Sequence, residues 1–181
     1  MNSGVSAAVR RIIRTEFREI ALTRPMDRID VELLRLLRNN ARLPNKTLAE
    51  KVGVAPSTAL ERIRRLRESG VIEGYHAEFE PRAVGIGLQA MVAVRMARHS
   101  RELLDGFRQH LLQLPEVLAF YHVAGANDFQ VHVAVRDSDH LRDFALDAFT
   151  RRPEVAHIET SLIFEFRRSP EMPIYVEQDK D

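Results

Sequence analysis

Apolar positions in residues 27–40, DRIDVELLRLLRNN, recur at helical spacing, with Ile29, Leu33, Leu36 and Leu37 on one face. Asp27 and Asp30 stand at the start, where the helix dipole favours acid. Pro44 marks the exit loop, and NKTLAEKVGV then predicts a helix of barely two turns. There Thr47 and Glu50 form a capping-box pattern, Leu48, Ala49 and Val52 face inward, and Gly53 suits a left-handed cap. So short a helix is stable only when packed. A third helix follows in PSTALERIRRLRE, with Thr58 and Glu61 as a second possible capping box. Its spacing predicts Ala59, Leu60, Ile63 and Leu66 inside, with Thr58, Glu61, Arg62 and Arg65 outside.

The period then changes. Residues 88–97 alternate as a strand, 100–114 are helical, 117–124 and 129–135 are strands about a GAND turn, 138–151 are helical, and 155–166 form a last strand. The predicted class is α+β: a helix-turn-helix followed by a ferredoxin-like βαββαβ unit. Both helices of that unit should cover one sheet face. The other is expected to carry Met91, Ala93, Leu118, Phe120 and Ala134 beside His122 and His132, and to be covered by a second copy.

Charge sharpens the division. Residues 1–75 hold 15 Lys and Arg against 9 Asp and Glu, and residues 76–181 hold 12 against 17, so a near-neutral chain has a basic and an acidic half. The basic half is the candidate for a polyanion. In a helix-turn-helix the second helix of the pair enters the major groove, and a dimer reads two half-sites. Arg62, Arg64 and Arg65 suit guanine edges or phosphate, Ser57 and Thr58 suit phosphate at the helix start, Glu61 shares the outward arc, and Lys46 adds a phosphate contact. The bland alternative is a solvated arginine face on a helical hairpin; the turn, the Ser-Thr start and the basic half favour double-stranded DNA.

The absence of cysteine excludes disulfides and thiolate zinc sites. No apolar run reaches membrane-spanning length, and arginines interrupt residues 1–17 too early for a secretory apolar core, so a cytoplasmic protein is expected. No activated nucleophile, metal motif or nucleotide loop is seen, so neither an enzyme nor a cofactor is expected. An RNA-binding sheet is disfavoured by the acidic half and the lack of an aromatic pair. His122, His132 and His157 offer a metal reading, outweighed by interface or core roles. Residues 5–20 carry an apolar stripe, readable as a helix against a subunit, phosphate or membrane, or as a simple extension.

The stretch DRIDVELLRLLRNNARLPNKTLAEKVGVAPSTALERIRRLRESGVIEGYHAEFEP, then VAGANDFQVHVAV and VAHIETSLIFEF, resembles the Lrp/AsnC (feast/famine) transcription regulators over residues 26–166. The resemblance implies a hinge strand near Tyr75–Glu80, dimerisation through the sheets, higher assembly such as an octamer, and an amino acid bound between dimers. The implied order is an extension at 1–25, DNA-binding domain at 26–75, hinge strand and linker at 76–87, effector and oligomerisation domain at 88–166, and a tail at 167–181. The family's turn pattern, Gly-acidic-x-Asp-aromatic, is met at Gly125 and Asp128, while Ala126 replaces the acid. Gly125, Asn127 and Asp128 are thus effector candidates, with Thr160 and Ser161 weaker ones; plain hairpin and strand chemistry is the competing reading. The expected function is sequence-specific transcriptional regulation modulated by an amino-acid-like effector; the alternative answers a metal or no ligand.

Overall fold

The computed structural model describes residues 25–169 and 171–176, which divide into two compact units between Ala77 and Glu78. The apolar stripe expected in residues 5–20 lies outside the described residues.

The first unit holds three helices: α1 (Arg28–Asn39), α2 (Asn45–Val52) and α3 (Pro56–Glu68). The cap of α1 is built by its own acids. Asp27 Oδ1 accepts from the Asp30 amide at 3.0 Å, and Asp30 Oδ2 from the Asp27 amide at 3.2 Å. The Thr47–Glu50 and Thr58–Glu61 capping boxes do not form: both threonines already lie inside their helices. Pro44 and Ala55 occupy the N-cap positions, without side-chain caps. Proline is tolerated at the start of α3 because the amide it lacks would have no helical partner. Gly53 ends α2 at φ +71°, in the left-handed region, and the Asn45 side-chain amide donates to the Pro56 carbonyl at 2.7 Å across the tight connection. Leu33, Leu37 and Leu48 form the buried centre, with Ile29, Leu36, Val52 and Ile63 packed around it. Residues 167–169 and 171–176 group with this unit, and Arg38 donates to the Ser169 carbonyl at 3.1 Å.

The stretch expected as a hinge strand forms no strand: residues 73–80 have no ladder partner in the single chain, and a 3₁₀ turn, Pro81–Val84, follows. A strand needs a second backbone to satisfy its amides and carbonyls.

The second unit runs β1 (Leu88–Met96), α4 (Arg101–Gln113), β2 (Val117–His122), β3 (Phe129–Val135), α5 (Ser138–Ala145, passing into a π turn at Leu146–Thr150) and β4 (Val155–Leu162). Ser100 and Asp137 cap the two helices. The strands are antiparallel in the order β2-β3-β1-β4, the arrangement expected of βαββαβ. Alternate residues Ala90, Val92, Val94 and Met96 of β1, with Phe129, Val131, Val133 and Val135 of β3, pack on Phe107, Leu111, Leu141, Phe144 and Phe149.

Phe120 and His122 had been expected on the open face, and the structure reverses both. The register shifts between Val117 and Ala119, and that one-residue irregularity inverts the alternation of the rest of β2. Phe120 therefore pairs with Val131 and joins the core, while His122 stacks on Phe129 at 4.9 Å and bonds Arg108 of α4 at 2.9 Å. The open face carries Met91, Ala93, Gln130, His132 and Ala134, flanked by exposed Tyr121.

Candidate nucleic-acid interface and effector turn

The surface of α3 is decided by how the helix is rotated. Ala59 and Leu66 are fully buried and Ile63 partly so, which fixes the inward direction. Arg62 and Arg65, expected on the free outer stripe, turn instead toward α1. Arg62 Nη1 lies 2.7 Å from Asp27 Oδ2 and 3.0 Å from Asp30 Oδ1, and Arg65 Nη2 lies 2.6 Å from Asp30 Oδ2. The two guanidinium side chains retain only 17% and 18% of their exposure, and Asp30 none. Burial alone would lower the Arg62 pKa; the hydrogen bonds and charges of Asp27 and Asp30 outweigh it and hold the group above its ordinary value.

The physical reason is matched spacing. Two aspartates three residues apart on α1 face two arginines three residues apart on α3, and i,i+3 side chains share a helix face. A buried carboxylate needs such partners. The cluster joins two helices and sets the rotation of α3.

That rotation leaves Ser57, Thr58, Glu61 and Arg64 exposed, together with Arg67 and Leu60. Arg64 makes only a 3.7 Å contact with Glu68, both side chains being more than two-thirds exposed. Such a pair contributes little and leaves the guanidinium available. Lys46 is exposed on α2. Five of the seven expected DNA-facing residues, Lys46, Ser57, Thr58, Glu61 and Arg64, are therefore accessible; Arg62 and Arg65 are not free. Leu60, expected in the core, is 59% exposed.

In the second unit Gly125 has φ +141°, which side chains rarely adopt, while the space around its absent Cβ is open. The turn thus requires glycine for its backbone, not for room. Asp128 is tied down on every side. Its amide donates to the Val94 carbonyl at 2.8 Å, its Oδ2 accepts from the Met96 amide at 2.7 Å, and its Oδ1 lies 2.7 Å from His99 Nε2. The carboxylate fastens the β2–β3 turn to the end of β1. His99 was not singled out in the sequence, and nothing in its spacing from Asp128 marks it. Asn127 is half-buried beside them. Thr160 and Ser161 do not act as a pair: Thr160 pairs with Val92 on the helix-covered side, and Ser161 with Met91 on the open side. Among the described residues no group of three or more potential ligands could hold a metal, and no helix is long and apolar enough to cross a membrane.

Comparison with known proteins places both units. Residues 26–67 match the AsnC-type helix-turn-helix domain, and residues 89–170 the Lrp/AsnC ligand binding domain. The HTH-type transcriptional regulator AldR of Mycolicibacterium smegmatis is 45% identical over 145 residues, 80% of this chain and 85% of that protein. AldR of Mycobacterium tuberculosis is 43% identical over 79% of this chain and 80% of its own length. A crystal structure of a Neisseria meningitidis transcriptional regulator in complex with L-Met superposes with a TM-score of 0.75 at 28% identity, over 82% of this chain and 96% of that one. With a three-helix unit and a βαββαβ unit behind it in sequence, the chain belongs to the Lrp/AsnC family of DNA-binding transcriptional regulators.

Proposed function

We propose that the outward face of α3 reads duplex DNA through Ser57, Thr58, Glu61 and Arg64, that Lys46 adds a phosphate contact, and that Arg62 and Arg65 position the helix without themselves leaving Asp27 and Asp30. The observation that carries this reading is the ion-pair cluster: it consumes two arginines and leaves Arg64 and the N-terminal residues of α3 accessible. Those are the residues a recognition helix directs at base edges and phosphates. Titration of a duplex selected by the protein from a random library, at several salt concentrations, tests it. Arg64→Ala should weaken binding; a phosphate contact would reduce the salt slope by about one, whereas a base contact would relax one sequence position. Wild-type affinity and selectivity in Arg64→Ala, Ser57→Ala and Thr58→Ala together would reject the assignment.

We further infer an amino-acid-like effector at the Gly125–Asp128 turn of a homodimer or larger assembly such as an octamer, in a cytoplasmic regulator. An effector ammonium would compete with His99 for Asp128 Oδ1, the oxygen not engaged by the Met96 amide. The sheet face away from the helices, where Tyr121 is exposed and Met91 half-buried while Ala93 and Ala134 are already buried in the single chain, supports assembly through the sheet. Calorimetry with each amino acid tests the ligand, and sedimentation tests the assembly. A second reading, supported by the complete engagement of Asp128, leaves the turn as a structural clasp; an unaltered amino-acid response in well-folded Asp128→Asn would favour it.

A further inference from the structure

We propose that Leu60 is a specificity-determining residue that reads the 5-methyl group of thymine in the major groove. The proposal rests on the reading of α3 as the recognition helix and deepens it.

Leu60 is the fifth residue of α3 and is 59% exposed. It sits three residues after Ser57 and four before Arg64, so all three lie along one strip of the helix. It is absent from the apolar cluster that α3 joins through Ile63. A lone exposed leucine on an arbitrary surface needs no explanation. This one stands on the face that must lose its water when the helix enters a groove. Once there, an isobutyl group against donor and acceptor edges would desolvate them without replacing their hydrogen bonds, which is unfavourable. The apolar feature the major groove offers is the thymine methyl, present at A·T and T·A pairs and missing from G·C pairs. Leu60 thus rewards thymine and penalises cytosine at the same place. Its neighbours supply the complementary chemistry: Arg64 can donate to guanine or phosphate, and Glu61 can accept from the amino group of cytosine.

The experiment uses the full chain and a duplex that the wild-type protein selects from a random-sequence library. Each thymine of one half-site is replaced singly by deoxyuridine, which deletes only the methyl group. At one or two positions the replacement should weaken wild-type binding about fourfold, the effect of one buried methyl. Leu60→Ala should bind the thymine and uracil forms alike, with an unchanged salt slope because no phosphate contact is removed. Its melting temperature should match wild type, since the side chain is outside the core. Wild-type indifference to uracil throughout the half-site would overturn the proposal, as would a Leu60→Ala protein that keeps the uracil penalty. A change in sedimentation with the penalty intact would also overturn it and assign Leu60 to a protein contact. Arg64→Ala separates the two levels of inference. If it loses affinity while Leu60→Ala keeps the penalty, α3 remains the recognition helix and only Leu60 is wrong. If neither variant alters binding, the recognition face itself is misplaced.

Discussion

In the helical unit, the functional helix is oriented by charge: Arg62 and Arg65 close on Asp27 and the fully buried Asp30, beside a centre of three buried leucines. In the sheet unit, the Gly125–Asp128 turn hangs on strands held by fourteen buried apolar residues, four of them phenylalanines. A small helical unit buries too little apolar surface to fix the rotation of a short helix by packing alone. Hydrophobic contact is non-directional, whereas two guanidiniums on two carboxylates define an angle. The sheet unit needs no such device, because strand register already fixes where each side chain points.

Several substitutions would break or sharpen this contrast. The largest effects should come from removing the centre of each device. Phe107→Ala deletes a fully buried ring that lies 5.0 Å from Phe129, and should cost the sheet unit about 3–5 kcal/mol. Asp30→Ala should cost the helical unit a similar amount, about 3–5 kcal/mol, because it takes the carboxylate from Arg65, leaves Arg62 with Asp27 alone and removes half the α1 cap. Hydrogen exchange resolved by unit distinguishes them: each loss of protection should stay in its own unit, and DNA affinity should fall with Asp30→Ala. Protection lost equally in both units by either variant would contradict the independent devices.

Next in size is a comparison within α3. Arg62→Lys should lower the melting temperature and weaken DNA binding together, because the shorter lysine stem does not carry its nitrogen to the point where Arg62 Nη1 meets both Asp27 and Asp30. Arg64→Ala should leave melting unchanged and affect DNA alone. Identical behaviour of the two variants would erase the distinction between a positioning and a contacting arginine.

At the turn, Gly125→Ala should destabilise the sheet unit by about 1–3 kcal/mol through backbone strain only, since no neighbour obstructs the added methyl. Thermal unfolding checks this; a neutral result would mean the turn relaxes.

The smallest effect concerns His132, whose pKa burial lowers from its usual value of 6.5. The unfolded chain takes up this proton as pH falls through about 6.5 while the folded state still resists it. The associated stability is therefore complete above that value and is lost as pH falls toward the lower folded pKa. His132→Gln, which keeps a polar partner for Gln89, should flatten that part of the pH–stability profile of the sheet unit. An unchanged slope would assign the pH dependence to other groups.

Much of this architecture was legible along the chain. The order of helices and strands follows from the change of period at residue 88, and the turn at Gly53 lies where its residue type directs. So does the division between a basic and an acidic half, because charge and periodicity are local properties. What sequence alone did not settle was orientation. Leu60 and Arg62 sit on opposite borders of the apolar arc of α3, and a helical wheel permits either to turn inward; Asp27 and Asp30 on another helix decide it. Phe120 and His122 likewise change faces because one irregularity, set by pairing with β3, shifts the alternation. Asp128 reads as turn chemistry until His99 and the Met96 amide are brought beside it. Local preference determines which element forms, while the side a residue faces is chosen by partners distant in sequence, through ion pairs, register and burial that no periodicity contains.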